Sequence, residues 1–598
     1  MSKRAIGDVR PSQIVTTFGP GAIVDLQTLS VIVAGIDSWP IDEAEAIHEP
    51  RLERALRVKR FFPAKPSEGS FFNKKGTVPT YLFPRYQVCP VCRTLSAFGE
   101  GDVEYNAKWS EVQCKAPGCR GRGKYRATTL PAPFIMACPS GHIDDFPWRE
   151  YAHGGSTTCR MRLQLFSVAK TGSVADIVIQ CACGKTRSAS DAFGERRAEA
   201  LGTCTRKRPW LGVGNQDPAA CQHSDKVRAM QRGATNAWFP VVRSALAVKE
   251  AATPIGIAIN ACSPKQIEKI DSLEKLKTLI EMEMFPSLAS FPTEDVWHGI
   301  QKLRGEVETD DIDLRWPEWV AFRDLTSASN ERGELFLQDG EVPKGFEEKI
   351  GRVVLARKLL EVRALLGFTR IDTVGGGADD SLSPDVASIY RMRPDWLPAV
   401  EVRGEGIFIE ISEEAVADWE LKPAVIARAK AMEQKFIQWQ VERGAELRPF
   451  PGARYLLLHS LAHALIRQLS LDCGYSASSV RERIYSSTDP KRRMAGILLY
   501  TASPDSEGSL GGLVDLGTPT RFPGLFANAL RSAARCSSDP LCADHQPDVH
   551  ATINGAACHA CILVSETSCE GFNRFLDRNV LVPTMANQAI AFFPDPLI

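Results

Sequence analysis

The residues best suited to chemistry in this chain are its cysteines, and their spacing indicates the chemistry. Of 17 cysteines, ten lie between Cys89 and Cys221 and five between Cys536 and Cys569. Cys262 and Cys473 stand alone and read as small buried hydrophobes. Clustered thiols in a reducing compartment point to metal rather than to disulfides. Four thiolates at the corners of a tetrahedron suit Zn2+, a d10 ion with no redox demand. Cys89-Pro-Val-Cys92 is followed after 21 residues by Cys114-Lys-Ala-Pro-Gly-Cys119. Each short loop turns tightly enough to aim two sulfurs at one point, helped by Pro90 and Gly118. Two such knuckles joined by a short sheet form a zinc ribbon, and four protein ligands leave no open position for catalysis.

The second group holds Cys138-Pro-Ser-Gly-His142, Cys159, Cys181-Ala-Cys183-Gly, Cys204 and Cys221, seven ligands where one site needs four. Cys159, Cys183, Cys204 and Cys221 are expected to form a further site, with Cys138, His142 and Cys181 as substitutes. In the third group, Cys558-His-Ala-Cys561 combines with Cys569 and with either Cys542 or Cys536, which spacing does not separate. Two or three structural zinc ions follow.

Other motifs are weaker. Gly118-Cys-Arg-Gly-Arg-Gly123-Lys124-Tyr125 nearly fits a phosphate-binding P-loop but lacks the Ser or Thr that would hold magnesium. No ATP hydrolysis is expected, and no catalytic residue is assigned. His459 and His463 share a helix face, but Ser460 stands where a metalloprotease carries Glu, so they read as core or hydrogen-bonding histidines. Pro394-Asp395 and Glu401-Val-Arg403 echo a nuclease core only faintly, since Arg replaces the required Lys. The Gly/Ser loop 505–512 is either a phosphate cradle or a tight turn. Three basic clusters could meet phosphates: Arg120, Arg122, Lys124 and Arg126; Arg206, Lys207 and Arg208; and Lys491, Arg492 and Arg493, preceded by Arg481 and Arg483. Contacts of this kind release counterions and give salt-dependent, sequence-independent affinity.

These sites must be positioned by several domains, because 598 residues exceed one hydrophobic core. Lys plus Arg (72) balances Asp plus Glu (72), which excludes a uniformly basic nucleic-acid coat but not a local basic groove. No apolar run approaches the roughly 18 residues of a membrane span. The opening MSKRAIGDVRPSQ lacks the apolar stretch of a signal peptide, so a cytoplasmic location is expected.

The expected class is multidomain α+β. Its parts are a mixed α/β segment over 1–85 with a strand at Leu29–Ile36, the zinc ribbon over 86–130 and a second Cys-rich module over 131–250. A helical region over 251–371 follows, opened by a capping box at Ser263–Gln266 and containing a second helix from Phe346 to Leu366. After a break at Asp372–Pro384 come an α/β segment over 385–449 and a last α/β unit over 450–598. The segment 385–449 combines strand-like alternation from Ala399 to Ile411 with a helix from Lys422 to Arg443. Tyr455–Leu471 is apolar nearly all round and reads as a buried helix.

The tail carries Gly496-Ile-Leu-Leu-Tyr-Thr-Ala-Ser-Pro-Asp-Ser-Glu-Gly-Ser-Leu-Gly-Gly-Leu513, Ala557-Cys-His-Ala-Cys561, Glu566-Thr-Ser-Cys-Glu570 and Asn573-Arg-Phe-Leu-Asp577. It resembles the helicase-associated domain at the C-terminus of MrfA-type DNA-repair helicases, which binds zinc through four cysteines. Arg10-Pro-Ser-Gln-Ile-Val-Thr-Thr-Phe-Gly-Pro-Gly-Ala-Ile-Val-Asp25, Ala137–Trp148, Arg208-Pro-Trp-Leu-Gly212 and Gln231-Arg-Gly-Ala-Thr-Asn236 are similar to segments of the DrmB family of DISARM anti-phage systems. The resemblance implies a non-ATPase, zinc-bound subunit that forms a heterodimer with a separate helicase, DrmA, and contacts foreign DNA. Rival readings are a phosphodiesterase or nuclease using the His459/His463 helix and loop 505–512, or a purely structural helicase adaptor.

Overall fold

The structure is a computed structural model. It describes residues 9–595 apart from 65–77, 108–109, 122–124, 170, 195–199, 249–257, 260–261, 264–266, 268, 283, 290, 305–312, 326–332, 374–385, 444–446, 475, 504–511 and 548–551. The chain forms two compact units, each assembled from separated segments. The first comprises 1–48, 58–243 and 363–400; the second comprises 49–57, 244–362 and 401–598.

Short strands dominate the first unit. Six of them, Thr186–Ser188, Ile177–Cys181, Leu163–Ser167, Thr94–Ala97, Tyr86–Val88 and Leu130–Pro131, lie in that order in one antiparallel sheet. A second sheet places Phe134–Ala137 between Ile143–Asp145 and Arg228–Gln231. Val103–Asn106 and Glu111–Cys114 make a separate hairpin. The β-branched run near the N-terminus is a strand, Ser30–Val33. Phe134, Phe146, Trp148 and Tyr151 fill the core, with Phe146 and Trp148 centroids 4.6 Å apart.

One cation joins several of these segments. Arg370 is fully buried, and its guanidinium donates to the carbonyls of Gly141 (2.8 Å), Gly21 (2.7 Å) and Ala237. It also packs over the Phe368 ring at 4.6 Å. Burial pulls its pKa down to about 9. Arg370→Leu would leave three buried carbonyls without donors, each costing about 1–3 kcal/mol. We expect thermal unfolding of this variant to show a loss of at least about 3 kcal/mol; an unchanged melting temperature would contradict it.

In the second unit an antiparallel sheet meets helices on an apolar face. Residues 403–410 of strand Trp396–Ile411 pair with Met494–Ser503, which pairs in turn with Val480–Ser487. Leu457, Leu461 and Leu465 of helix Gly452–Cys473 join Ile407, Ile409, Ile497 and Leu499 in one core. The expectation of a buried helix is met here, and so is that of a helix ending at Arg443, which spans Pro423–Arg443.

The expected helix at Phe346–Leu366 is instead the long strand Ile350–Thr369, which pairs through 354–358 with Phe336–Asp339. Its Leu, Ala, Arg and Glu content favours helix, but both of its faces are largely buried. Such a strand shows a near-continuous apolar run rather than alternation, so periodicity alone misreads it. The capping box at Ser263–Gln266 and the loop at 505–512 lie largely outside the described residues, whereas helix Leu273–Glu281 follows the former and is capped by Ser272.

Candidate metal centres

The ribbon cysteines converge. Cys89 follows strand Tyr86–Val88 and Cys114 ends the hairpin strand Glu111–Cys114. In the first knuckle the Cys92 N–H points at Cys89 Sγ (3.5 Å), and left-handed Arg93 (φ 63) reverses the chain. In the second, Gly118 takes φ 80 and the Cys119 N–H donates to Ala116 O. The Sγ atoms of Cys89 and Cys119 are 3.8 Å apart, and those of Cys92 and Cys114 are 3.7 Å apart. These separations are far too long for disulfides. They match the roughly 3.8 Å edge of a tetrahedron with Zn–S bonds of about 2.3 Å.

The second Cys-rich group divides into two four-donor sites. Cys138, His142, Cys204 and Cys221 form one. Cys138 Sγ lies 3.7 Å from Cys221 Sγ, 3.6 Å from Cys204 Sγ and 3.4 Å from His142 Nδ1. His142 Nε2 faces Asp217 at 3.2 Å, a carboxylate placed to orient a ligating imidazole. His153, Cys159, Cys181 and Cys183 form the other. Cys159 and Cys181 sulfurs are 3.6 Å apart, and His153 Nε2 is 3.3 Å from Cys183 Sγ. His153 Nδ1 donates to Arg149 O at 2.7 Å, which leaves the Nε2 lone pair for a metal.

The expected set Cys159, Cys183, Cys204 and Cys221 is therefore split between two sites. Strand register decides this: Leu163 pairs with Cys181, drawing Cys181 and Cys183 to Cys159 and away from Cys204. Cys138, His142 and Cys181, expected only as substitutes, each bring a ligand atom within 4.8 Å of the other donors of their group. Sequence reasoning missed His153. The available signal was arithmetic, since seven ligands plus one nearby histidine make two complete sets of four.

In the tail, Cys536, Cys542, Cys558 and Cys561 form the fourth group. Cys536 Sγ is 3.4 Å from Cys558 Sγ, and Cys561 Sγ is 3.7 Å from both Cys542 and Cys558. Both Cys536 and Cys542 belong, and the expected Cys569 does not. The segment before Cys569 is pinned to another element, because the Glu482 N–H donates to Ser568 O and Ser568 Oγ donates to Ala477 O. Cys569 is thereby held beside Glu482, His459 and His463.

Crowded sulfurs share protons unequally. Hydrogen bonding from Cys138 holds Cys204 down at about 4 and raises Cys138 itself. Cys542 does the same for Cys561, which sits at about 5. A backbone N–H from Lys185 and a bond from Cys181 lower Cys183 to about 6. In three groups, then, the neighbours favour the thiolate on one cysteine, the species that ligates metal.

The basic clusters are largely engaged. Lys207 pairs with Asp144 (2.9 Å), Arg208 pairs with Asp217 (3.4 Å), and Arg206 donates to Ala219 O. Exposed Arg126, Arg492 and Arg493 pair with Glu104, Asp313 and Glu413, the last two half-buried. Arg120 and Lys491 are exposed, and Arg122 and Lys124 lie outside the described residues. Arg483 is fully buried against Glu318 and offers nothing to a phosphate. His459 and His463 are also fully buried, so no substrate can reach them.

Comparison with known proteins places the chain. Residues 461–562 match a family described as "MrfA Zn-binding domain", which contains the fourth cysteine group. Residues 10–239 match a "Domain of unknown function (DUF8724)", which spans the other three. A curated protein of Bacillus paralicheniformis, "DISARM protein DrmB", is 32% identical over 94% of this chain and 98% of its own length. The chain belongs to the DrmB family. Among solved structures, this DrmB-family chain matches the "Crystal Structure of DUF1998 helicase MrfA bound to DNA" at 12% identity, over 36% of this chain and 23% of that one. The TM-score of 0.18 is too low to carry any argument.

Proposed function

We propose that this DrmB-family chain is a non-enzymatic subunit of a DISARM-type antiviral defence system, partnering a DrmA-like helicase as a heterodimer in the cytoplasm. In this reading it scaffolds the helicase on foreign DNA through backbone phosphate contacts. The observation that carries it is 32% identity along almost the full length of both chains to a protein named for that system. The four cysteine-rich groups support it, because each supplies four protein donors and leaves no open coordination position for catalysis. Four structural Zn2+ ions would brace these elements, which fall within the segments 86–130, 131–250 and 450–598.

The exposed pairs at Arg126, Arg492 and Arg493 do not oppose a DNA role. Such pairs are worth at most about 1 kcal/mol and exchange readily for a phosphate. The test is a DNA titration over several salt concentrations, with and without the helicase. Replacing Lys491, Arg492 and Arg493 together by Ala should flatten the plot of log affinity against log salt by about 0.9 for each phosphate that is no longer neutralised. Salt-insensitive or absent binding in both cases would leave only a structural adaptor. Failure to co-purify with the helicase would remove the partnership as well.

A further inference from the structure

We infer that His459, His463, Glu482 and Cys569 hold a fifth metal ion, Zn2+, in a buried mixed-donor site separate from the four cysteine-rich groups. The MrfA Zn-binding match begins at residue 461 and ends at 562, so His459 and Cys569 lie outside it.

Three elements bring the donors together. His459 and His463 stand one turn apart on helix Gly452–Cys473, Glu482 lies within strand Val480–Ser487, and Cys569 is on the tail. One ligand atom from each lies within 4.8 Å of all the others. All four residues are buried.

The hydrogen-bond arithmetic calls for a cation. His463 Nδ1 donates to the Ile562 carbonyl at 2.8 Å, so its neutral ring presents a lone pair at Nε2. That nitrogen has no hydrogen-bond partner and faces Glu482 Oε1, itself an acceptor, at 3.5 Å. Glu482 Oε2 is buried without a partner too. His459 Nε2 sits 3.0 Å from Glu482 Oε1 and 3.1 Å from Cys569 Sγ, and one N–H cannot serve both well. Each unmet polar atom costs about 1–3 kcal/mol. A dication meets the His463 and His459 Nε2 lone pairs and the Glu482 carboxylate at once, leaving His459 Nδ1 as the unpartnered ring atom, and balances the carboxylate and thiolate charges.

The surroundings suit ligation. The Asn573 N–H donates to Cys569 Sγ (3.2 Å), and the Glu570 N–H donates to Glu482 Oε1 (3.1 Å). Both bonds steady an anionic donor. Two imidazoles, one carboxylate and one thiolate make a four-coordinate borderline set, which Zn2+ takes without oxidation. With no open position and no path to solvent, the ion would pin helix, strand and tail together.

The test uses the full-length protein and metal analysis. Wild type should carry five zinc equivalents per chain, and His463→Gln and Cys569→Ala should each carry four. The double variant should also carry four, because both changes empty one site. Variants that carry as many equivalents as the wild type would overturn the assignment, whatever the other four groups hold. Because a variant could misfold, anomalous scattering at the zinc edge on wild-type crystals provides a second reading. A peak about 2.0–2.4 Å from all four donors supports the site. No peak there, or one from another metal, sinks it.

Discussion

Stripping zinc from the protein at neutral pH should unfold the ribbon first, before the sheet beside it loosens. The reason is its core. The buried cluster around residues 89–127 consists of Cys89, Cys114, Ala116 and Ala127, with Cys92 and Cys119 packed against it. Half of that apolar cluster is the ligands themselves, and its two alanines, with the small group that Val103 and Val112 of the hairpin form with Leu29, bury little surface with which to hold a fold. Structural zinc sites in small domains supply about 10–16 kcal/mol of apparent binding energy, which here must serve as folding energy. Hydrogen exchange with mass spectrometry should show the amides of the Val103–Asn106 and Glu111–Cys114 hairpin losing protection on chelation. Cys92→Ser should reproduce the effect locally. Acid should act in the same direction, because ligation expels thiol protons and falling pH drives the ion off. Intact protection of this hairpin in metal-free protein would refute the account.

The second large effect concerns a buried ion pair. Glu318 and Arg483 are both buried, and Arg483 Nε and one terminal nitrogen each donate to a Glu318 oxygen at 2.6 Å. The Tyr485 hydroxyl (3.0 Å) and the Leu246 N–H (3.0 Å) complete the carboxylate's shell. The Arg483 charge holds Glu318 below the usual carboxylate range despite burial. Glu318→Ala removes the two closest acceptors of a buried guanidinium, leaving it Ser244 and a Glu361 carboxylate 3.9 Å away, and should cost about 3–5 kcal/mol. The double variant Glu318→Leu with Arg483→Met should recover part of that, since buried pairs are often no better than well-packed apolar substitutes, while the Tyr485 hydroxyl and Leu246 N–H lose their acceptor. Denaturant midpoints would measure both. A single variant as stable as wild type would show that the pair contributes nothing.

What the sequence made legible follows from range. The ribbon could be read because its four ligands come as two local pairs on tight turns, each fixed by a few residues. The nearly all-apolar helix over Tyr455–Leu471 is equally plain. The assignment of Cys159, Cys181 and Cys183 depended on which residues of strands Leu163–Ser167 and Ile177–Cys181 face one another, a register that ligand spacing does not encode. Cys569 falls in a different group for a related reason, since hydrogen bonds of Ser568 to the distant Ala477 carbonyl and from the Glu482 N–H decide where it points. The strand Ile350–Thr369 was hidden because burial on both faces removed the alternation that marks most strands.

The discontinuity of the first unit bears on its birth at the ribosome. When residue 243 has been made, three cysteine-rich groups are already present, but the 363–400 segment of their unit is not. Arg370, which ties the Gly21, Gly141 and Ala237 carbonyls, belongs to that late segment. At roughly 5–20 residues per second, the wait is on the order of 10–30 s. Through that interval the nascent chain holds complete thiol clusters in an unfinished unit, so early metal capture would protect it from oxidation and misassembly. Any expression fragment cut before residue 363 would be frozen at that stage.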